Sequence, residues 1–261
     1  MTNTRTCMLM AGKLALFSSL LMATSTSLAQ SGIELDGVAL PAPTPYAATY
    51  QARAMGFRTE AYRQLNLQQD DSYHVRHGLE LSVLGATLIS VEESSQFNWS
   101  DRGAVPLDYH YRQGGVRKRD ERISFDWDSS IAMMNRDERQ KQAELQGGLL
   151  DNLSFTAQMS ADLLRLAQTT DLTAGGQTLQ YELMDWNEVD IHTYTIVGAE
   201  RIETLLGEVD TLKIERVRAP ERDRSTTIWL AVDHEYTLAR LEQVEGGTRT
   251  ELLLKSIEMN Q

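Results

Sequence analysis

Turn signals recur every 8–14 residues between Tyr46 and Met259, and that rhythm constrains the fold more than any other feature of the chain. Met55-Gly56, "QQDDS" at 68–72, Gly85, "SDRG" at 100–103, Gly114-Gly115 and Gly246-Gly247 each interrupt a run of half-polar residues. Within the runs, side chains alternate. Ala61, Leu65 and Leu67 share one face with Arg63, and in "TTIWLA" Ile228 and Leu230 point one way while Trp229 points the other. A period of two is that of a strand, and closely spaced turns between strands make an antiparallel meander. A coiled sheet of this many strands closes or half-closes on its apolar face.

One segment breaks the rhythm. "GGLLDNLSFTAQMSADLLRLAQ" carries Leu153, Met159, Leu163 and Leu166 without a β-branched run, and Asp151 or Asn152 is placed to cap its start. The spacing predicts one amphipathic helix over about 152–168. The expected fold is therefore mainly β: a single antiparallel meander curled into an unclosed or half barrel, with the helix covering it.

Residues 1–29 combine Arg5 and Lys13, no acid, the short apolar run "LALFSSLLMA" and small residues at Ser27 and Ala29. That is the three-part pattern of a cleaved export signal, with a cut before Gln30. The apolar run is too short for a spanning helix of ~20 residues. Residues 30–45 alternate Pro41, Pro43 and Pro45 with small residues and read as an extended linker. No second linker follows, so 46–259 reads as one β-rich domain without a transmembrane segment. The single cysteine, Cys7, falls in the leader, which removes disulfides, thiolate metal sites and a cysteine nucleophile from the exported part. The formal net charge is −12. Such a chain repels nucleic-acid phosphates and anionic surfaces, so nucleic acid is not an expected partner.

The chemistry-bearing residues are scattered. There is no G-x-S-x-G elbow. In "HVRH", His74 and His77 would fall on opposite faces of a strand. Asp190 and His192 share a strand face beside Glu188, in what reads as a polar hairpin tip. Asp126 and Asp128 read as turn formers. Asp233, His234 and Glu235 lie between two strand-like runs and read as the bend of a hairpin. No catalytic residue, metal ligand or cofactor site is assigned. "VRKRDER" is the basic cluster; its Arg117, Lys118, Arg119 and Arg122 could meet a partner, and it also reads as a charged edge strand.

Five phrases in order, "YAATYQARAMGFRTEAYRQL", "RGAVPLDYHYRQGGVRKRDERISFDW", "GGLLDNLSFTAQMSADL", "YTIVGAERIETLLGEVDTLKIERVR" and "RSTTIWLAVDHEYTLARLEQVEGG", resemble an exported bacterial family of unknown function, the 3108 family. The resemblance implies a periplasmic location and names no catalytic residue. Trp229, Leu230, Asp233, Arg240 and Glu242 also resemble, more distantly, the periplasmic lipoprotein carriers and receptors; Val232 and Leu238 stand where prolines are usual there. That likeness implies an unclosed β-barrel with an apolar cavity. The expected function is binding, without catalysis, of an apolar or amphipathic ligand such as a lipid or a lipoprotein acyl chain, or of an envelope partner. Leu65, Leu67, Phe125, Trp127, Ile228, Trp229 and Leu230 are the expected cavity residues. A hydrolase or glycan-active enzyme using the acids, and an assembly scaffold, stay open.

Overall fold

The computed structural model describes residues 39–54, 56–83, 86–116, 118–186, 188–219 and 223–260. The expected leader, residues 30–38 of the linker and Arg117 lie outside them. Eight strands come first: β1 (Tyr46–Ala54), β2 (Phe57–Leu67), β3 (Tyr73–Val83), β4 (Ala86–Ser100), β5 (Gly103–Gly115), β6 (Arg119–Asp126), β7 (Ile131–Arg136) and β8 (Arg139–Glu144). The helix α1 (Ser154–Leu166) follows. Six more strands complete the domain: β9 (Thr178–Met184), β10 (Val189–Thr204), β11 (Gly207–Val217), β12 (Arg224–Ala231), β13 (Thr237–Glu245) and β14 (Thr248–Met259).

All fourteen strands form one antiparallel sheet in the order β8-β7-β6-β5-β4-β3-β2-β1-β14-β13-β12-β11-β10-β9. The meander expected from the turns is present, and its arms run outward in opposite directions from the β1–β14 pair. Turn chemistry sets the local registers. Gly246 and Gly247 both have positive φ (55° and 74°), the requirement of the tight hairpin between β13 and β14. The sheet does not close: β8 and β9 are its two edges, and the chain must cross from one to the other. Residues 145–177 make that crossing and carry α1 against β5 and β4.

Helix seating follows from a few contacts. The side chain of Asp151 accepts the backbone N–H groups of Leu153 (2.8 Å) and Ser154 (2.9 Å), while Ser154 Oγ accepts the Asp151 N–H (3.0 Å). This reciprocal cap starts the helix at Ser154, just inside the expected 152–168 range. Gln158 Oε1 accepts the Ala104 N–H at 2.9 Å, and any side chain at Gly103 would collide with that amide. Met159 and Leu163 then join Val75, Phe97, Ile123, Ile196 and Ile214 in the main core. Full burial of each such side chain contributes roughly 1.5–3 kcal/mol.

A second cluster forms where β13 and β14 part. They pair only over Arg240–Glu245 and Thr248–Leu253. Beyond that point the β10–β11 turn docks, with the Leu205 N–H donating to Leu254 O at 3.0 Å. Ile202, Val209, Trp229, Ala231 and Ala239 pack here with Tyr50, Ala52 and Leu254.

The gap between the edges is narrowed in two ways. Leu150 pairs in parallel with Leu183 of β9, through Leu150 N–H to Glu182 O (3.0 Å) and Met184 N–H to Leu150 O (2.8 Å). Trp186 lies under Arg136, Arg139 and Lys141 of β7 and β8, with Lys141 Nζ 4.9 Å from its ring. The remaining edge, β8, is rich in polar and charged residues, which discourages strand addition. The end of the expected linker, 39–45, packs on the body: the Leu40 N–H donates to Asp101 O at 3.2 Å and Thr44 Oγ1 to Glu235 Oε1 at 3.0 Å. Among the described residues, no helix is long and apolar enough to cross a membrane.

Candidate functional site

Inside the half barrel, several strands change character along one face. On β11 the inward series is Leu212, Ile214, Arg216 and then Arg218 just past the strand; on β6, read backwards, it is Phe125, Ile123, Glu121, Arg119; on β4, Phe97, Ser95, Glu93; on β10, Ile196, Tyr194, His192. The interior is thus apolar at depth, where α1 sits, and charged toward one open end, the mouth.

Two cavities result. The apolar one, about 130 Å³, lies beside α1 and is lined by Pro41, Tyr46, Leu65, Met159, Leu230 and Leu238, among others. The mouth cavity holds about 710 Å³ and is walled by Glu93, Tyr109 and Arg119 on one side and His192, Arg216 and Arg218 on the other. A layer of rings separates them: Phe155 is stacked on Tyr194 at 6.0 Å and meets the His192 ring edge-on at 6.3 Å.

The mouth is dense in opposed charges. Asp190 accepts Arg216 Nη2 at 3.1 Å and lies 3.2 Å from His192 Nε2. Glu121 is held by Arg119 and by Arg136 Nε. Burial, helped by Arg216, pushes His192 down to about 4, against the pull of Asp190. Burial also lowers Arg218 to about 10, with Arg216 and Arg224 adding repulsion. Arg218 donates to Thr226 Oγ1 at 2.9 Å and has no carboxylate within 4.0 Å among the described residues. Across the cavity, burial raises Glu93 to about 7, partly opposed by the hydrogen bond donated by Tyr109.

The expected cavity residues divide. Leu65, Ile228 and Leu230 line the apolar cavity. Phe125 is buried in the main core and stacks on Trp127, whose Nε1 donates to Pro106 O at 2.6 Å. Two placements need correction. Leu67 is 50% exposed, because it ends β2 opposite Tyr73 and projects past the filled interior. Trp229 faces away from Ile228 and Leu230, into the second cluster, and is covered by Arg240 at 4.7 Å.

The basic cluster is corrected too. It is not an edge strand: β6 lies between β5 and β7, and the edge is β8. Arg119 turns inward over the Tyr111 ring, Arg122 stands on the mouth, and Lys118 is exposed before the strand. Arg119 is thus drawn into the cavity instead of forming an outer partner surface, because strand alternation aligns it with Glu121 and Ile123.

His74 and His77 occupy β3, three residues apart. Asp126 Oδ1 accepts the Ser129 N–H at 3.1 Å, as a turn former does. Val232–His234 is a short 3-10 turn followed by Glu235 and Tyr236 at positive φ, so the Asp-His-Glu triplet is the bend between β12 and β13. Among the described residues, no group of three or more His, Cys, Asp or Glu is placed to hold a metal ion.

Sequence reasoning misses Glu93, Tyr109, Arg216, Arg218 and Arg224. The signal that could have found them is the switch from apolar to charged along one strand face, as in "LKIERVR".

A family model described as "Protein of unknown function (DUF3108)" matches residues 46–253. The crystal structure of a beta-barrel-like protein of domain of unknown function DUF1849, from Brucella abortus, is similar with a TM-score of 0.53 at 12% identity, over 86% of this chain and 100% of that one. Likeness at that identity is one of fold. No curated protein matches.

Proposed function

The chain belongs to the DUF3108 family of proteins of unknown function, and we propose that it is an exported, non-enzymatic binding protein that takes a polar, anion-bearing ligand into the mouth of its half barrel. The observation that carries this reading is the mouth cavity itself, about 710 Å³, with Arg216, Arg218 and Arg224 along one wall. Small-molecule sites occupy roughly 300–1,000 Å³. The apolar cavity, at about 130 Å³, falls below that range because α1 fills the depth of the barrel. A lipid therefore enters this reading through a charged headgroup held at the mouth, and not as an acyl chain threaded beneath the helix. Guanidinium forks match carboxylate and phosphate oxygens. Arg216 is paired with Asp190 and Arg224 lies 3.7 Å from Glu245, whereas Arg218 has no carboxylate within 4.0 Å among the described residues, which leaves its donors for a ligand. The pattern of residues 1–29 supports export.

Titration with a phosphorylated or carboxylated fluorescent probe tests the reading. Arg218→Ala should weaken saturable binding by about tenfold or more, the scale of one charge-assisted hydrogen bond. Equal affinity in the variant, or equally tight binding of an uncharged fatty alcohol, would overturn it.

Glu93 favours a second reading, an acid–base enzyme. It is a recessed carboxyl poised near neutrality beside Tyr109 and Arg119. In a binder, Glu93→Gln leaves the probe's affinity within a factor of a few. In an enzyme, the same change stops turnover and leaves unreacted ligand bound.

A further inference from the structure

We propose that the outward face of β1, β2, β13 and β14 carries an anion site, separate from the mouth, that takes a phosphoryl group. Strand register assembles it. Arg53 lies directly opposite Arg58 on β2 and directly opposite Glu251 on β14, which in turn lies opposite Glu242 on β13. Like charges placed directly across a ladder destabilise it. The Glu251–Glu242 pair is relieved from both sides: Arg240 reaches Glu251 at 2.8 Å and Glu242 at 3.1 Å, and Arg249 binds Glu242. The Arg53–Arg58 pair has no such relief. Arg53 stands 3.7 Å from a Glu251 already shared with Arg240, and Arg58 has no carboxylate within salt-bridge distance among the described residues.

Arg53, Arg58, Arg240, Arg249 and Glu251, together with Ala54, Gly56 and Phe57, line a depression of about 550 Å³. Four guanidinium groups face two carboxylates there, Glu242 and Glu251, an excess of two positive charges on a chain whose net charge is −12. Arg240 is held by stacking on Trp229 at 4.7 Å, and its Nε is buried without a partner. An excess of two matches the charge of a phosphoryl dianion, and forks offered by four strands suit its three oxygens. The ordered network of Arg240, Glu251 and Glu242 preorganises the site, so little side-chain freedom is lost on binding.

The test uses the purified chain carrying Arg216→Ala and Arg218→Ala, the pair of changes that empties the mouth on the reading above. Inorganic pyrophosphate is titrated by calorimetry, and flotation is measured with phosphatidylcholine vesicles with and without phosphatidic acid, whose phosphate is a monoester. Saturable pyrophosphate binding identifies free phosphate as a source of the group. Flotation only with phosphatidic acid identifies a lipid headgroup. In either case Arg58→Ala should weaken binding about tenfold and Arg58→Glu should abolish it. Arg58 is exposed, has no ion pair among the described residues and faces Arg53, so the unfolding transition of each variant should match or exceed the parent's and loss of binding is not loss of fold. Failure of both probes to bind, or binding unchanged in Arg58→Glu, would overturn the proposal.

Discussion

Replacing Asp151 with alanine should lower the unfolding free energy by about 3–5 kcal/mol, among the largest losses any single polar substitution will cause in this chain. Asp151 is fully buried, yet each oxygen is used. One accepts two helix N–H groups, and the other accepts the Ser95 hydroxyl at 2.6 Å. Alanine leaves three buried donors without acceptors, each costing about 1–3 kcal/mol, less what local relaxation and water recover. Burial raises the carboxyl's pKa, so part of the cost of holding a charge there is returned when it is removed. The conservative change Asp151→Asn keeps an acceptor and should lose about half as much. Chemical unfolding monitored by tryptophan fluorescence measures both; a loss under about 1 kcal/mol for Asp151→Ala would show that the cap does not hold the helix.

Glu93→Gln should change how stability depends on pH. Burial raises the Glu93 carboxyl from 4.5 to about 7 in the folded protein. Between those values the folded chain keeps a proton that the unfolded chain has lost. Stability from this group therefore falls as pH rises from 4.5 to about 7, by about 3 kcal/mol in all. His192 and His77 act in the opposite sense. Each is held down to about 4 from 6.5, so the unfolded chain carries the extra proton and stability rises with pH across that window. The carboxyl's slope offsets only part of the rise due to the two histidines, and the difference between Glu93→Gln and wild type isolates the carboxyl. Apart from a constant offset for the altered Tyr109 hydrogen bond, that difference should grow in the variant's favour from pH 4.5 to about 7 and then level off. A difference curve without slope in this window would place Glu93 in contact with bulk water.

The parts of the fold that are legible in the sequence are those written locally. Paired glycines mark the β13–β14 turn, Asp151, one of the two cap candidates, marks the helix start, and the bend at Val232–Tyr236 follows from the runs on either side. The sheet order is not legible, because the β1–β14 pairing joins residues far apart in the chain and nothing near Tyr46 names Met259 as its partner. Trp229 illustrates a subtler limit. Its alternation with Ile228 and Leu230 is plain, but a bulge at Trp229/Leu230 and the parting of β13 from β14 create a second core for the face it occupies. Arg119 reads as surface because it sits in a basic run. The register sets Glu121, two residues on and on the same face, opposite Tyr111 and Arg136, and that face is the inside of the barrel. A charged mouth is assembled from one to three residues per strand, so no contiguous motif announces it.

The cap network and the mouth are one structure. Asp151 caps α1, and its charge bears on Glu93, to which Tyr109 donates. Seating the helix thus sets the floor of the cavity.

Native mass spectrometry of the protein isolated undenatured from its own host tests the proposed binding role most directly. The predicted spectrum shows a chain beginning at Gln30 with a non-covalent anionic adduct, and the same chain bare when Arg216 and Arg218 are replaced by alanine. An uncharged acyl adduct that survives both substitutions, or a chain without ligand before either is made, would contradict it.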